Sequence, residues 1–494
     1  MRALRISLLF MLVIASQAAA QMAATSGAAS ITPQDVQKRI QFLASDELKG
    51  RDTPSPGLEQ AAEYIAREFA AYGLKPGGDA GSFVQRWSYK QVALDESRLA
   101  AELRGPTVRQ LAYADEYFVV LAPAADSMSG ELVWGGVAGA GPARAEYAKS
   151  NVAFYLPGAS MDQAWLQALQ NGFVAAMTGG ARGVVFILDP AFDKAAVANV
   201  VSNISGAQVP LPVLAVRYDV ARDWLKQHSV DLDQARQSGT TTALGKATFL
   251  LRMAMAGTES TPPNVVGILE GSDPELKNSY VVYTAHMDHV GIGRPDAQGD
   301  SIYNGADDDA SGTSAVLEIA QAFSGMATKP KRSIIFVLVS GEEKGLFGSA
   351  HFVKNPPVPA KQMVANINID MIGRNSPDTT VAIGQDYSSL GPTMQAVNKA
   401  HPELKLTVAP DLWPEENLFV RSDHFNFAKA EIPAIFFTSG LHGDYHKPSD
   451  EPETIDNDKL ARTARLLFYL GEELANNASA PSWTEAGLKV IRGN

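Results

Sequence analysis

The second half of the chain carries four apolar runs, at 281–285, 334–339, 364–369 and 435–437, each followed by residues capable of acid–base or metal chemistry. No other feature limits the possible folds so strongly. Apolar runs without alternation suit strands buried on both faces, as in parallel pairing. Helical patterns at 310–323, 347–353, 391–401 and 456–475 lie among them. That succession predicts an α/β fold with a mostly parallel central sheet and helices on both faces. Open sheets of this kind bind ligands outside the carboxyl ends of their strands.

The residues at those ends are His286 and Asp288, then Glu342 and Glu343, then Asp370, with His446 in a loop beyond the fourth run. Between the first two runs stands Asn304-Gly305-Ala306-Asp307-Asp308-Asp309-Ala310-Ser311-Gly312. Each group alone has an ordinary explanation. A strand-end Asp commonly caps a turn, and paired glutamates suit the positive end of a helix. Their coincidence at successive strand ends predicts a metal centre instead. The chain has no cysteine, so His, Asp and Glu must hold any metal, as in zinc sites that keep an open position. Two neighbouring cations repel, and a bridging carboxylate from 307–309 offsets that repulsion.

At the start of the chain, Arg2 and Arg5 precede an apolar run at 6–15, and Ala18-Ala19-Ala20 follow. This reads as a cleavable secretory signal. The run is short of the roughly 20 residues a bilayer span needs, so no stable membrane insertion is expected after cleavage. The expected location is periplasmic or secreted. Lys+Arg 42 against Asp+Glu 54 gives a net charge of −12. With no basic block to pair with phosphates, nucleic acid is excluded as a partner.

A helix is expected after Thr32-Pro33, and a second amphipathic helix from Pro56 to Tyr72. From Gly130 the texture changes to short strands with one helix at 163–177. The middle segment carries little candidate chemistry. Residues 478–494 read as a peripheral tail.

His286-Met287-Asp288, Gly305 through Gly312, Gly341-Glu342-Glu343, Asn368-Ile369-Asp370-Met371 and Tyr445-His446 together resemble the motifs of the co-catalytic di-zinc aminopeptidases. That family includes bacterial leucyl aminopeptidases, glutamate carboxypeptidase and glutaminyl cyclase. Ser45 through Arg51 resembles its N-terminal segment, and the middle segment is similar to its inserted protease-associated domain. The resemblance implies a zinc exopeptidase fold, phosphorylase/hydrolase-like, with a mainly β or α+β insert. The expected division is a signal at 1–20, a flexible leader at 21–31, peptidase parts at 32–125 and 251–476, the insert at 126–250 and a tail at 477–494.

The resemblance also implies roles. Asp308 would bridge two zinc ions, His286 and Asp370 completing one site, Glu343 and His446 the other. Glu342 would be the general base for water attack on a zinc-polarised peptide carbonyl, and Asp288 would orient His286. The Asp308–Asp309 peptide would be cis. Arg421, His424, Met371 and Phe436 are candidates for contact with a peptide substrate. His289 is expected to make supporting contacts, and His442 and Asp307 not to bind metal. Some members place a tyrosine where this chain has Phe419, Val420 and Arg421. An aminopeptidase is the expected activity. A carboxypeptidase using Arg374 or Arg421, and a catalytically silent receptor-like binding protein, are the alternatives.

Overall fold

The computed structural model describes residues 27–121, 127–160, 162–192, 211–228, 230–237 and 242–492. It divides into two compact units, one formed by residues up to Tyr89 with Ser260 onward, the other by Lys90–Glu259. The signal sequence expected at 1–20 lies outside the described residues. Among those described, no helix is long and apolar enough to cross a membrane.

The first unit is built on a nine-stranded mixed sheet. Its principal elements are α1 (Pro33–Leu43), α2 (Pro56–Ala71), β1 (Pro263–Leu269), β2 (Tyr280–His286), α3 (Gly312–Ser324), β3 (Ser333–Val339) and α4 (Phe347–Lys354). Then follow β4 (Met363–Ile369), β5 (Thr379–Ile383), α5 (Leu390–Ala400), β6 (Thr407–Ala409), α6 (His424–Lys429), β7 (Ala434–Thr438) and α7 (Asn457–Asn476). The central order is β1-β3-β2-β4-β7-β5-β6. Strands β3, β2, β4 and β7 are mutually parallel, as expected from their apolar runs. Antiparallel pairs flank them, β1 with β3 and β5 with β7.

Every residue of β3 is buried, and the pleat sends alternate side chains to opposite faces. Ile334, Phe336 and Leu338 join the core shared with α1, α2, α3 and α7. Ile335, Val337 and Val339 join the opposite core with Phe352 of α4 and Phe427 of α6. Helix starts follow local chemistry. Thr32 caps α1 by accepting from Asp35 N, Ser55 caps α2 through Leu58 N, and Asp456 caps α7 through Lys459 N.

The second unit has its own eight-stranded sheet. Strands Ser127–Val137, Asn151–Leu156, Gly183–Leu188 and Val213–Val216 run parallel. Antiparallel strands complete it at both ends, and helix Gln163–Thr178 packs on one face.

Two expected boundaries need correction. The insert runs from Lys90 to Glu259, not 126 to 250, because Ala100–Arg104 and Tyr117–Leu121 pair within its sheet. Irregular-looking sequence hid those strands. Residues 27–31 are not a flexible leader: Gly27–Ser30 form a turn and buried Ile31 accepts from Arg465 through its carbonyl. The stretch after 477 is largely exposed and is tied to the first unit. Trp483 Nε1 donates to Glu431 O, Thr484 N to Tyr387 O, and helix Glu485–Arg492 follows.

Candidate metal centre

The parallel strands deliver the polar residues to one edge of the sheet. His286 is the last residue of β2 and pairs with Val339 of β3, so the turn Ser340-Gly341-Glu342 leaves beside it. Gly341 has φ +73°, and a β-carbon there would lie 2.7 Å from the Trp87 ring. The Asp288 carboxylate accepts from Gly341 N (2.8 Å) and from Thr53 Oγ1 (2.8 Å). The Nδ1 of His286 lies 3.1 Å from the Asp288 carbonyl and 3.7 Å from its carboxylate. Asp288 therefore orients the ring chiefly through its backbone, while its carboxylate holds the glutamate turn.

The three aspartates have separate surroundings. Asp309 accepts from Gly312 N and Met371 N with one oxygen and from His286 N with the other. Asp307 accepts from Gly373 N at 2.6 Å and faces His442 Nε2 at 3.3 Å. Both oxygens of Asp309 are occupied as structural acceptors, whereas Asp307 accepts with Oδ1 alone. The backbone N–H groups of Asp307 and Asp308 donate to buried Asp450. Gly305, at φ +60°, permits the fold-back, because a β-carbon would lie 2.3 Å from Asp308 O and 2.5 Å from the His289 ring. The Asp308–Asp309 peptide is cis.

The side chain of Asp308 stands between two groups of donors. Its Oδ1 lies 3.1 Å from His286 Nε2, which is 3.6 Å from Asp370 Oδ1. Its Oδ2 lies 3.1 Å from His446 Nε2, which is also 3.1 Å from Glu343 Oε2. Each expected ligand therefore falls in its expected group. His289 falls in the second group as well, with Nδ1 2.8 Å from Glu343 Oε1. The atoms His289 Nδ1, Glu343 Oε1 and His446 Nε2 are buried and make no hydrogen bond of acceptable geometry. Unsatisfied donors and acceptors converging in one place suit a metal ion, which satisfies them all.

The electrostatics agree. Burial alone would lower His446, but the adjacent Asp308 and Glu343 carboxylates raise it to about 10. Burial and Asp308 push Glu343 upward, yet His289 and His446 outweigh both and hold it at about 2. Such a cluster demands positive charge, and a divalent cation supplies it more fully than protons on imidazole.

Glu342 is set apart from these groups. It lines a small cavity of about 40 Å³ together with His286, Asp308, Asp370, Met371, Arg421, Phe436 and Tyr445. Burial pushes its carboxyl well above the usual range, and the charges of Glu343, Asp423 and Asp370 push the same way. A carboxylate raised in this manner is a stronger base.

One expected cavity residue is elsewhere. His424 is fully buried, stacked on Phe436 at 4.9 Å and edge-on to Phe419 at 5.1 Å. The start of α6 turns it into the apolar core, and it does not line the cavity. Sequence reasoning passed over several residues. Arg51, buried in a left-handed turn, donates to the carbonyls of Leu43, Met287, Asn304 and Gly305. Ser422 Oγ donates to Asp370 Oδ2 at 2.7 Å. Tyr445 stacks on His446 and lines the cavity. Its place directly before a proposed ligand was the available signal.

A family model described as Peptidase family M28 matches residues 264–471, the span that holds every proposed ligand. Aminopeptidase YwaD of Bacillus subtilis (strain 168) is 26% identical over 302 residues, 58% of this chain and 57% of that protein. Leupeptin-inactivating enzyme 1 of Streptomyces exfoliatus is 31% identical over 216 residues, covering 44% and 43%. The chain thus spans about half the length of the curated relatives it matches. Among solved structures, an aminopeptidase from Aneurinibacillus sp. strain AM-1 superposes with a TM-score of 0.57 at 18% identity, covering 92% of this chain and 97% of that one. A zinc aminopeptidase from Bacillus subtilis gives 0.55, also at 18% identity, covering 91% and 97%. At that identity the likeness is one of fold.

Proposed function

We propose, from the premise that residues 264–471 are a Peptidase family M28 domain, that this chain is an exported zinc aminopeptidase removing N-terminal residues from peptides. One observation carries the reading: the two oxygens of Asp308 each lie 3.1 Å from a different histidine, His286 and His446. A carboxylate so placed is fitted to bridge two zinc ions. His286 and Asp370 would hold one, and Glu343 and His446 the other. When bound, zinc supplies Lewis acidity toward the substrate carbonyl and lowers the pKa of water to about 7.

The remaining work falls to the chain. Glu342, raised by burial, accepts the proton of the attacking water and delivers it to the leaving amine. Asp288 and Thr53 hold the Gly341–Glu342 turn, so that Glu342 faces the cavity. Met371, Leu418 and Phe436 offer an apolar wall to a side chain. The Tyr445 phenol, which also lines the cavity, is a hydrogen-bond donor for the substrate carbonyl.

The candidate cations for a C-terminal carboxylate are already engaged. Arg421 pairs with Glu416 at 3.1 Å and Arg374 with Asp444 at 2.6 Å. With His286, Asp308, Glu342 and Asp370 on its wall, the cavity favours a free ammonium over a carboxylate. The test is a peptide series with free or blocked ends. Loss of cleavage on N-acetylation is expected, and loss only on C-amidation overturns the assignment in favour of a carboxypeptidase. Recovery of the chain from the periplasm or medium, lacking its first 20 or so residues, checks the export reading.

A further inference from the structure

The two donor groups around Asp308 are unequal. The first offers His286 Nε2, Asp308 Oδ1 and Asp370 Oδ1, and all three residues line the cavity. Asp309 lies close by, but both its oxygens are taken by backbone N–H groups. Three protein donors beside an open cavity leave room for water and substrate.

The second group offers four. His289 Nδ1 is 2.8 Å from Glu343 Oε1 and 3.7 Å from Asp308 Oδ2, and His446 Nε2 is 3.1 Å from both carboxylates. A tetrahedral zinc ion with bonds of about 2.1 Å separates its ligands by roughly 3.4 Å. The four measured separations bracket that value. His289 is fully buried, and neither of its ring nitrogens has a hydrogen-bond partner of acceptable geometry. Its ring is held in place, with Gly305 against one side and the His446 ring 5.5 Å away. None of His289, Glu343 and His446 lines the substrate cavity.

The geometry points to His289 as a fourth protein ligand of the second metal site, which makes that site coordinatively closed and tightly held while the first stays open and exchangeable. This rests on the two-metal reading above. Structural zinc sites are closed by four protein ligands, and catalytic ones keep a position free. The pair would therefore divide its work, with Asp308 joining a fixed ion to a working one. His289 adds a neutral donor beside two carboxylates. The second ion gains affinity without more negative charge, and the first keeps its vacancy.

The experiment counts metal in the full-length chain after zinc reconstitution and dialysis against graded chelator, with activity left out. Wild type is expected to hold two equivalents and to release one well before the other. Both His289→Ala and His289→Asn should weaken the retained equivalent by more than about 100-fold, beyond the 10–100-fold that losing an outer hydrogen bond costs. The Asn side chain keeps an N–H donor near the Nδ1 position but is a poor zinc ligand. Wild-type retention in His289→Asn would show that the histidine only orients Glu343 and would overturn the assignment. The cobalt-substituted wild type needs no variant. Its retained ion should show the intense visible absorption of four-coordinate cobalt, and a weak six-coordinate spectrum would overturn the closed site. Failure of wild type to bind any zinc would remove the two-metal reading itself, an outcome distinct from two ions bound with equal strength.

Discussion

Two parallel β-arrangements occur among the described residues, and only one gathers histidines and carboxylates at its strand ends. In the first unit β3 ends at Val339, β2 at His286, β4 at Ile369 and β7 at Thr438, and Glu342, His286, Asp370 and His446 stand at or beyond those ends. In the second unit the corresponding strands end at Val137, Leu156, Leu188 and Val216. Beyond them stand Ala138, Pro157, Asp189 and Arg217, and the one carboxylate, Asp189, pairs with the Tyr155 hydroxyl. Both sheets have buried strands and covering helices. Parallel pairing therefore supplies the place for a site, and several adjacent strand ends must each contribute a ligand before a site exists.

Removing the shared carboxylate should have the largest effect. Asp308→Ala is expected to abolish retention of both zinc equivalents together with hydrolysis, measured by metal content and peptide turnover. Loss of one equivalent alone would remove Asp308 as the bridge. Glu342→Gln comes next, with a fall of roughly 10²–10⁴ in kcat/KM while both metals stay bound. Retained turnover would transfer the base to another group.

The second unit should respond in the opposite sense. Trp224 is 2% exposed in its core, and Trp224→Ala should cost about 3–5 kcal/mol of stability without altering the number of zinc ions bound. A parallel loss of metal would break the contrast between the units. The smallest effect concerns acid stability. Burial pushes His424 down to about 3, against an ordinary value near 6.5. As pH falls from about 6.5 toward 3 the unfolded chain takes up a proton that folded His424 refuses, so stability declines across that window. His424→Phe keeps an aromatic ring between Phe419 and Phe436 and should flatten that decline by up to one proton, read from urea midpoints at pH 4 and pH 7.

The sheet was legible because burial on both faces forces unbroken apolar runs, and the ligand types were legible because they interrupt those runs at their ends. The insert boundaries were not. Strands Ala100–Arg104 and Val108–Leu111 are short, with Glu102, Arg104 and Arg109 among their residues, and the hairpin they form joins the sheet through a partner distant in sequence, Thr248–Arg252. Nothing local marks which unit they join. The misplacement of His424 has a similar cause, since a histidine beside Ser422 and Asp423 looks polar until the turn into α6 carries it inward.

While the choice of Asp308, His286, Glu343, Asp370 and His446 as proposed ligands came from the family resemblance, the α/β class of the second half and the histidines and carboxylates at its strand ends follow from the sequence by itself. Local pattern suffices there, because a strand's period and its polar end lie within about ten residues. The tertiary structure alone decided the rest. Chain reversal at Gly305 and the 441–450 loop brings His289 to Glu343 and His442 to Asp307. The two histidines are equally plausible as residues. Only the fold gathers one with Asp308, Glu343 and His446 and leaves the other beside a single aspartate, because ligand geometry depends on distances between segments far apart in the chain.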